Sequence, residues 1–225
     1  MISLLKDGAT LTVLRGELIA RQKISRPKER KAPYFGGFLA IILVINNYGQ
    51  FAHLILRTLT DLEVNCEMVK NTLSVNELLE KEPDGLIMSG GPTMDRIGNC
   101  KQYVLEVELP ILGICLGHQL IAEAYDGVVS KGTLGGYADV YVDVLEEDDI
   151  LKGLGPTIKT WASHADEVTL APLGFKTLAR SDVCDIEAMK HPSRPIYGVQ
   201  WHPEVAHSEK GNELFLNFID KCNSQ

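Results

Sequence analysis

Leu39-Ala-Ile-Ile-Leu-Val-Ile45 is an unbroken apolar run with no polar alternation. Such a run suits a strand buried on both faces, and that environment exists only inside a sheet covered by helices on each side. The following sequence fits. A helical pattern runs from about Gln50 to Leu62, with Phe51, Leu54, Ile55 and Leu59 on its apolar face. A strand is expected at 64–69, a helix at 74–81, a strand at 85–88, a helix near 100–108, a short strand at 111–114 and a helix at 116–124. Strands alternating with helices predict an α/β fold with a mostly parallel central sheet. From residue 128 the pattern changes to successive strand-like runs at 137–145, 158–161, 167–170, 175–179, 184–190 and 195–201, which predict an antiparallel extension. An amphipathic helix over about 208–222 closes the pattern, with Leu214, Phe215, Phe218 and Ile219 on one face.

A chain of 225 residues, 45% hydrophobic, can bury one sizeable core. We divide it into a basic flexible extension, 1–37, and one domain, 38–225. Residues 1–35 carry eight Lys/Arg against three Asp/Glu, whereas the remainder carries fourteen against twenty-seven. The overall charge of −8 argues against nucleic acid as a partner, because phosphate binding needs a basic face. Within the extension, Arg21–Pro33 is basic, proline-punctuated and poor in large apolar groups. It reads as a docking arm, a mis-assigned translation start or an added segment; Glu17 and Glu29 count against an organelle transit peptide. Five cysteines without a C-x-x-C pair favour reduced thiols and a cytoplasmic location. No apolar run reaches membrane-spanning length, and Lys6 and Asp7 interrupt any signal-peptide core.

The chemistry centres on Gly113-Ile-Cys-Leu-Gly-His-Gln119. Glycines two positions either side of Cys115 give the spacing of a strand-to-helix nucleophile elbow, in which the central residue is strained and neighbouring backbone passes close by. The thiol would stand at the start of a helix, where the macrodipole favours a thiolate. The amide of Leu116 could then face a developing oxyanion, and Gln119, one turn on, would face the same pocket. The plain alternative is a small buried cysteine in a tight turn. His202 and Glu204, two positions apart after an apolar strand, supply an imidazole and an acid to orient it. Alone they read as a strand-end turn, but with an elbow cysteine they complete a covalent acyl-transfer site. Ser89-Gly-Gly-Pro92 follows another apolar strand and can present bare amides to an oxyanion, or can be an ordinary turn; no Gly-Lys-Ser/Thr follows to make it a P-loop. The other histidines form no metal pattern, so no metal site is expected.

Taken in order, Ser-Gly-Gly-Pro, Gly-Ile-Cys-Leu-Gly-His-Gln and Gly-Val-Gln-Trp-His-Pro-Glu-Val resemble the class I (triad-type) glutamine amidotransferases, over about residues 39–221. The resemblance implies their flavodoxin-like fold with the antiparallel extension, and a reaction in which Cys115 attacks the side-chain amide of L-glutamine. By the same match His202 is general base and acid, Glu204 orients it, and Gly91 and Leu116 supply oxyanion amides. Gln119, Gly136, Tyr137, Ser163 and His164 would hold the glutamine. Gly136 departs from the family, which commonly has Glu there. Trp161–Val168, Glu187–His191 and the opening Ile45–Ile55 are similar to the free-standing glutaminase subunits of archaeal-type GMP synthase. That likeness implies a two-chain enzyme. No cofactor belongs to this chain, and a separate ATP-pyrophosphatase subunit would use ATP and Mg to convert XMP to GMP. The glutaminase subunit of anthranilate or aminodeoxychorismate synthase, or a stand-alone γ-glutamyl hydrolase, are the enzyme alternatives. A regulatory protein with a dead site is the non-enzyme one.

Overall fold

The computed structural model describes residues 10–14, 17–21 and 40–224. Strands β1 (Thr10–Leu14) and β2 (Glu17–Arg21) pair antiparallel. The rest of the expected extension lies outside the described residues.

From residue 40 the elements run β3 (Ile41–Asn46), α1 (Ala52–Asp61), β4 (Asn65–Lys70), α2 (Val75–Leu79), β5 (Gly85–Met88), α3 (Cys100–Glu106), β6 (Ile111–Ile114) and α4 (Leu116–Ala124). Then follow β7 (Val128–Val144), β8 (Thr157–Leu170), β9 (Lys176–Ser181), β10 (Ala188–Lys190), β11 (Ile196–Val199) and α5 (Gly211–Asn223). These strands form a single sheet in the order β4-β3-β5-β6-β11-β10-β9-β7-β8. The first five in that order are mutually parallel. The last four add on antiparallel, as the change of pattern after residue 128 predicts.

The run at 39–45 behaves as its composition requires. Ile42 and Val44 enter one core layer with Ile55 and Leu59 of α1 and Phe215 and Phe218 of α5. Leu43 and Ile45, pointing the other way, enter a second layer with Tyr103 and Val104 of α3 and Leu120 and Ile121 of α4. Strand order reverses between β3 and β5, the switch point at whose carboxyl ends doubly wound sheets bind ligands. β11 comes last among the strands yet sits between β6 and β10.

Several expected bounds need correction, among them the run at 184–190, of which only Ala188–Lys190 is strand. The runs at 158–161 and 167–170 are one strand, β8, and the run at 137–145 is the second half of β7, which starts at Val128. The burial alternation of β8 runs through Ala162 to His164 and breaks at Ala165 and Asp166, which are both exposed, while the strand itself continues to Leu170. The closing helix begins at Gly211 rather than 208. Lys210 takes a left-handed conformation (φ 53°), and the Ser208 hydroxyl donates to the His202 carbonyl (2.6 Å) instead of capping the helix.

Candidate active site

Cys115 follows β6 directly and has φ 53° and ψ −105°, a conformation that L-residues rarely adopt. Its amide donates to Val199 O (2.9 Å) and its carbonyl accepts from Gln119 N–H (3.1 Å), so β11 and α4 clamp the strained turn. The flanking glycines allow the approach: a Cβ on Gly113 would strike the Gly117 carbonyl, and one on Gly117 the Met88 carbonyl. The sulfur lies at the positive end of the α4 dipole and 3.9 Å from Ser163 O.

His202 arrives from the loop after β11. Its amide donates to Trp161 O (3.0 Å), and its Nδ1 bonds Glu204 Oε1 at 2.8 Å. The ring lies edge-on to Phe51, centroids 4.8 Å apart. Both His202 and Glu204 are buried. Burial alone would depress the imidazole, but its hydrogen bonds to Cys115 and Glu204, with the charges of both, raise it to about 10. The site therefore favours an imidazolium held between sulfur and carboxylate, as nucleophile activation requires.

A cavity of about 450 Å³ opens over Cys115, within the usual range for small-molecule sites, roughly 300–1,000 Å³. Gly91 and Leu116 both line it and touch each other, since a Cβ on Gly91 would meet Leu116 Cδ2. Gln119, Ser163 and His164 also line it. The nitrogen of Gln119 is committed inward, to Asp166 O (2.6 Å) and Gln200 Oε1 (3.2 Å), leaving its amide oxygen as the group for a ligand. Burial holds His164 below the ordinary imidazole range, against a hydrogen bond to Asp166 O that opposes it. Gly136 and Tyr137 pair with His164 and Ser163 across β7–β8; the Tyr137 side chain is outside what the structure describes.

Sequence reasoning missed several contributors. Gln50 donates to Ser163 Oγ (3.3 Å), and Phe51 sets the His202 ring. Ser208 bridges Trp161 N–H and His202 O. For Gln50 and Phe51 the available signal was Asn47–Phe51, a polar, glycine-bearing turn directly after the buried strand β3.

The family model for class-I glutamine amidotransferases matches residues 43–222. The chain belongs to the class-I glutamine amidotransferase family. Among curated amidotransferase relatives, a glutamine-hydrolyzing GMP synthase subunit of Methanococcoides burtonii is 64% identical over 181 residues, covering 80% of this chain and 96% of that protein. The protein of the same name from Archaeoglobus fulgidus is 54% identical over 181 residues, covering 80% and 98%. The crystal structure of a Thermoplasma acidophilum protein assigned as the corresponding GMP synthase subunit superposes with a TM-score of 0.78 at 36% identity, over 82% of this chain and 94% of that one. A Thermotoga maritima glutamine amidotransferase shares the amidotransferase fold at 15% identity, with a TM-score of 0.70 over 83% of this chain and 99% of that one. Among the described residues, no helix of this amidotransferase is long and apolar enough to cross a membrane.

Proposed function

We propose that this chain is the glutaminase subunit of a two-chain GMP synthase, releasing ammonia from L-glutamine for a separate ATP-pyrophosphatase subunit that aminates XMP. The observation that carries the reading is the Cys115–His202–Glu204 constellation on a strained elbow, beside amides on a second strand end. The names of relatives up to 64% identical supply the GMP synthase part. ATP and Mg would be held by the partner, and no step on this chain needs them. Cytoplasmic location and a heterodimer or larger assembly belong to the same proposal.

In this mechanism the Cys115 thiolate attacks the side-chain carbonyl carbon of glutamine. The oxyanion that forms is met by the amides of Gly91 and Leu116. His202 passes its proton to the departing nitrogen, ammonia leaves, and a γ-glutamyl thioester remains. His202, now neutral, takes a proton from water, whose oxygen attacks the thioester. Glutamate is released, and the thiolate and imidazolium are restored. Glu204 fixes the ring so that Nε2 faces the sulfur. Gln119 Oε1, the Ser163 and His164 backbone, and the β7 backbone at Gly136 and Tyr137 would hold the substrate's main chain and amide.

The test is glutamine hydrolysis by the full chain, alone and with its synthetase partner, XMP and ATP. Activity should be weak alone and rise with partner and nucleotide, and Cys115→Ala should lower it by at least about a thousandfold. Survival of activity in Cys115→Ala would sink the mechanism. Stimulation only by a chorismate-using partner, or unassisted turnover of γ-glutamyl peptides, would reassign the protein.

A further inference from the structure

The turn carrying Gly90 and Gly91 is held from beneath by groups that no step above uses. Ser89 is fully buried, and its hydroxyl makes two bonds at once. It accepts from the Asn47 amide at 2.9 Å and donates to the Gly90 carbonyl at 2.9 Å. The Gly49 amide donates to the same carbonyl at 3.2 Å. Asn47, also buried, donates to Ser89 O at 3.0 Å, and its own oxygen accepts from Asn71 Nδ2 at 3.1 Å. Two donors on one carbonyl fix the plane of the Gly90–Gly91 peptide. In a trans peptide the N–H points opposite to the C=O, so anchoring the Gly90 oxygen also sets the direction of the Gly91 N–H. Two consecutive glycines otherwise leave that peptide unusually free to rotate.

We propose that Ser89 is a positioning residue whose hydroxyl holds the Gly90–Gly91 peptide in the orientation that presents the Gly91 N–H to the tetrahedral intermediate. The proposal rests on the glutaminase reading above. Its effect is confined to the transition state: substrate binding does not use the Gly91 amide, whereas the oxyanion does. Removing an oxyanion donor outright costs about 10²–10³ in kcat, and freeing the peptide to rotate loses part of that, on the order of ten- to a hundredfold.

Ser89→Ala in the full chain, assayed with its synthetase partner, should lower kcat for glutamine by that factor, with KM unchanged within about twofold. Alkylation of Cys115 by iodoacetamide, followed by peptide mass spectrometry, provides the discriminating readout. Displacement at a saturated carbon needs the thiolate but forms no oxyanion, so its rate should stay within about twofold of wild type. An unchanged kcat, or a fall in alkylation parallel to the fall in kcat, overturns the proposal. If the alanine protein does not fold, Ser89→Cys keeps the volume with only a weak donor. A folded Ser89→Cys protein with wild-type kcat overturns the proposal equally, and one with reduced kcat but normal alkylation supports it. Failure of the glutaminase reading is separate: it shows as hydrolysis that survives Cys115→Ala, whatever the Ser89 variants do.

Discussion

At neutral pH His202 holds a proton that burial alone would strip from it. His118 shows the contrast: equally buried, with only backbone bonds to Ile186 (3.0 Å) and Gly198 to help, it is pushed down to about 3. The difference lies in partners, since His202 has Cys115 and Glu204 beside it and its folded-state value reaches about 10. A raised histidine contributes stability in full below its ordinary value, about 6.5, and loses it as pH climbs through the folded value. The glutaminase rate should follow, staying level through neutrality and falling as pH passes about 10. In Glu204→Gln the second hydrogen bond loses its charge, so the alkaline limb should move toward neutral pH. Profiles of kcat/KM against pH for both proteins check this, and coincident limbs would refute the assignment. The grouping of Cys115, His202 and Glu204 was legible because each keeps distinctive sequence neighbours. The fates of His118, His164 and His202 were not, because burial and partners are set by residues far away in the chain.

At the scale of elements, β6 and α4 meet backbone to backbone through Gly113 and Gly117. Gly113→Ala must push the helix off the strand, and overpacking of this kind costs about 1–3 kcal/mol. For a domain this size that lowers Tm by a few degrees per kcal/mol, measurable by thermal denaturation, and glutaminase activity should fall with it. An unshifted Tm would mean that α4 has room to retreat. These two elements, with β5, were the best read from sequence, since all three have the bounds that their apolar runs and bordering polar or glycine residues predict. β8 was read as two pieces for a physical reason. His164 occupies an inward position that a purely structural strand would give to an apolar side chain, because that position faces the cavity. The start of α5 was misplaced similarly, with Ser208 drawn from capping duty to hold the His202 loop.

For the molecule as a whole, one buried acid links stability to pH away from the reacting atoms. Glu187 is fully buried beside β10, and burial pushes its carboxyl up to about 7 against a hydrogen bond from Ser181 Oγ (2.7 Å) that lowers it, with Glu167 adding repulsion. The folded chain thus keeps a proton that the unfolded chain gives up at lower pH. Stability falls as pH rises from about 4.5 to about 7, then levels off. Glu187→Gln removes this titration. It should equal wild type near pH 4.5 and exceed it above pH 7 by up to roughly 3 kcal/mol, at 1.36 kcal/mol per pKa unit. Denaturant melts at the two pH values test this, and a constant gap between the proteins would refute it. The position of β11 has a consequence for how the molecule is made. During synthesis β6 and β10 both exist before the strand that joins them, so the sheet waits in two parts with open, hydrogen-bonding edges. Such edges invite pairing with other chains. Closure depends on contacts between distant residues, which form slowly. The same event delivers His202 to Cys115, so in a nascent chain the two meet only in the step that seals the sheet.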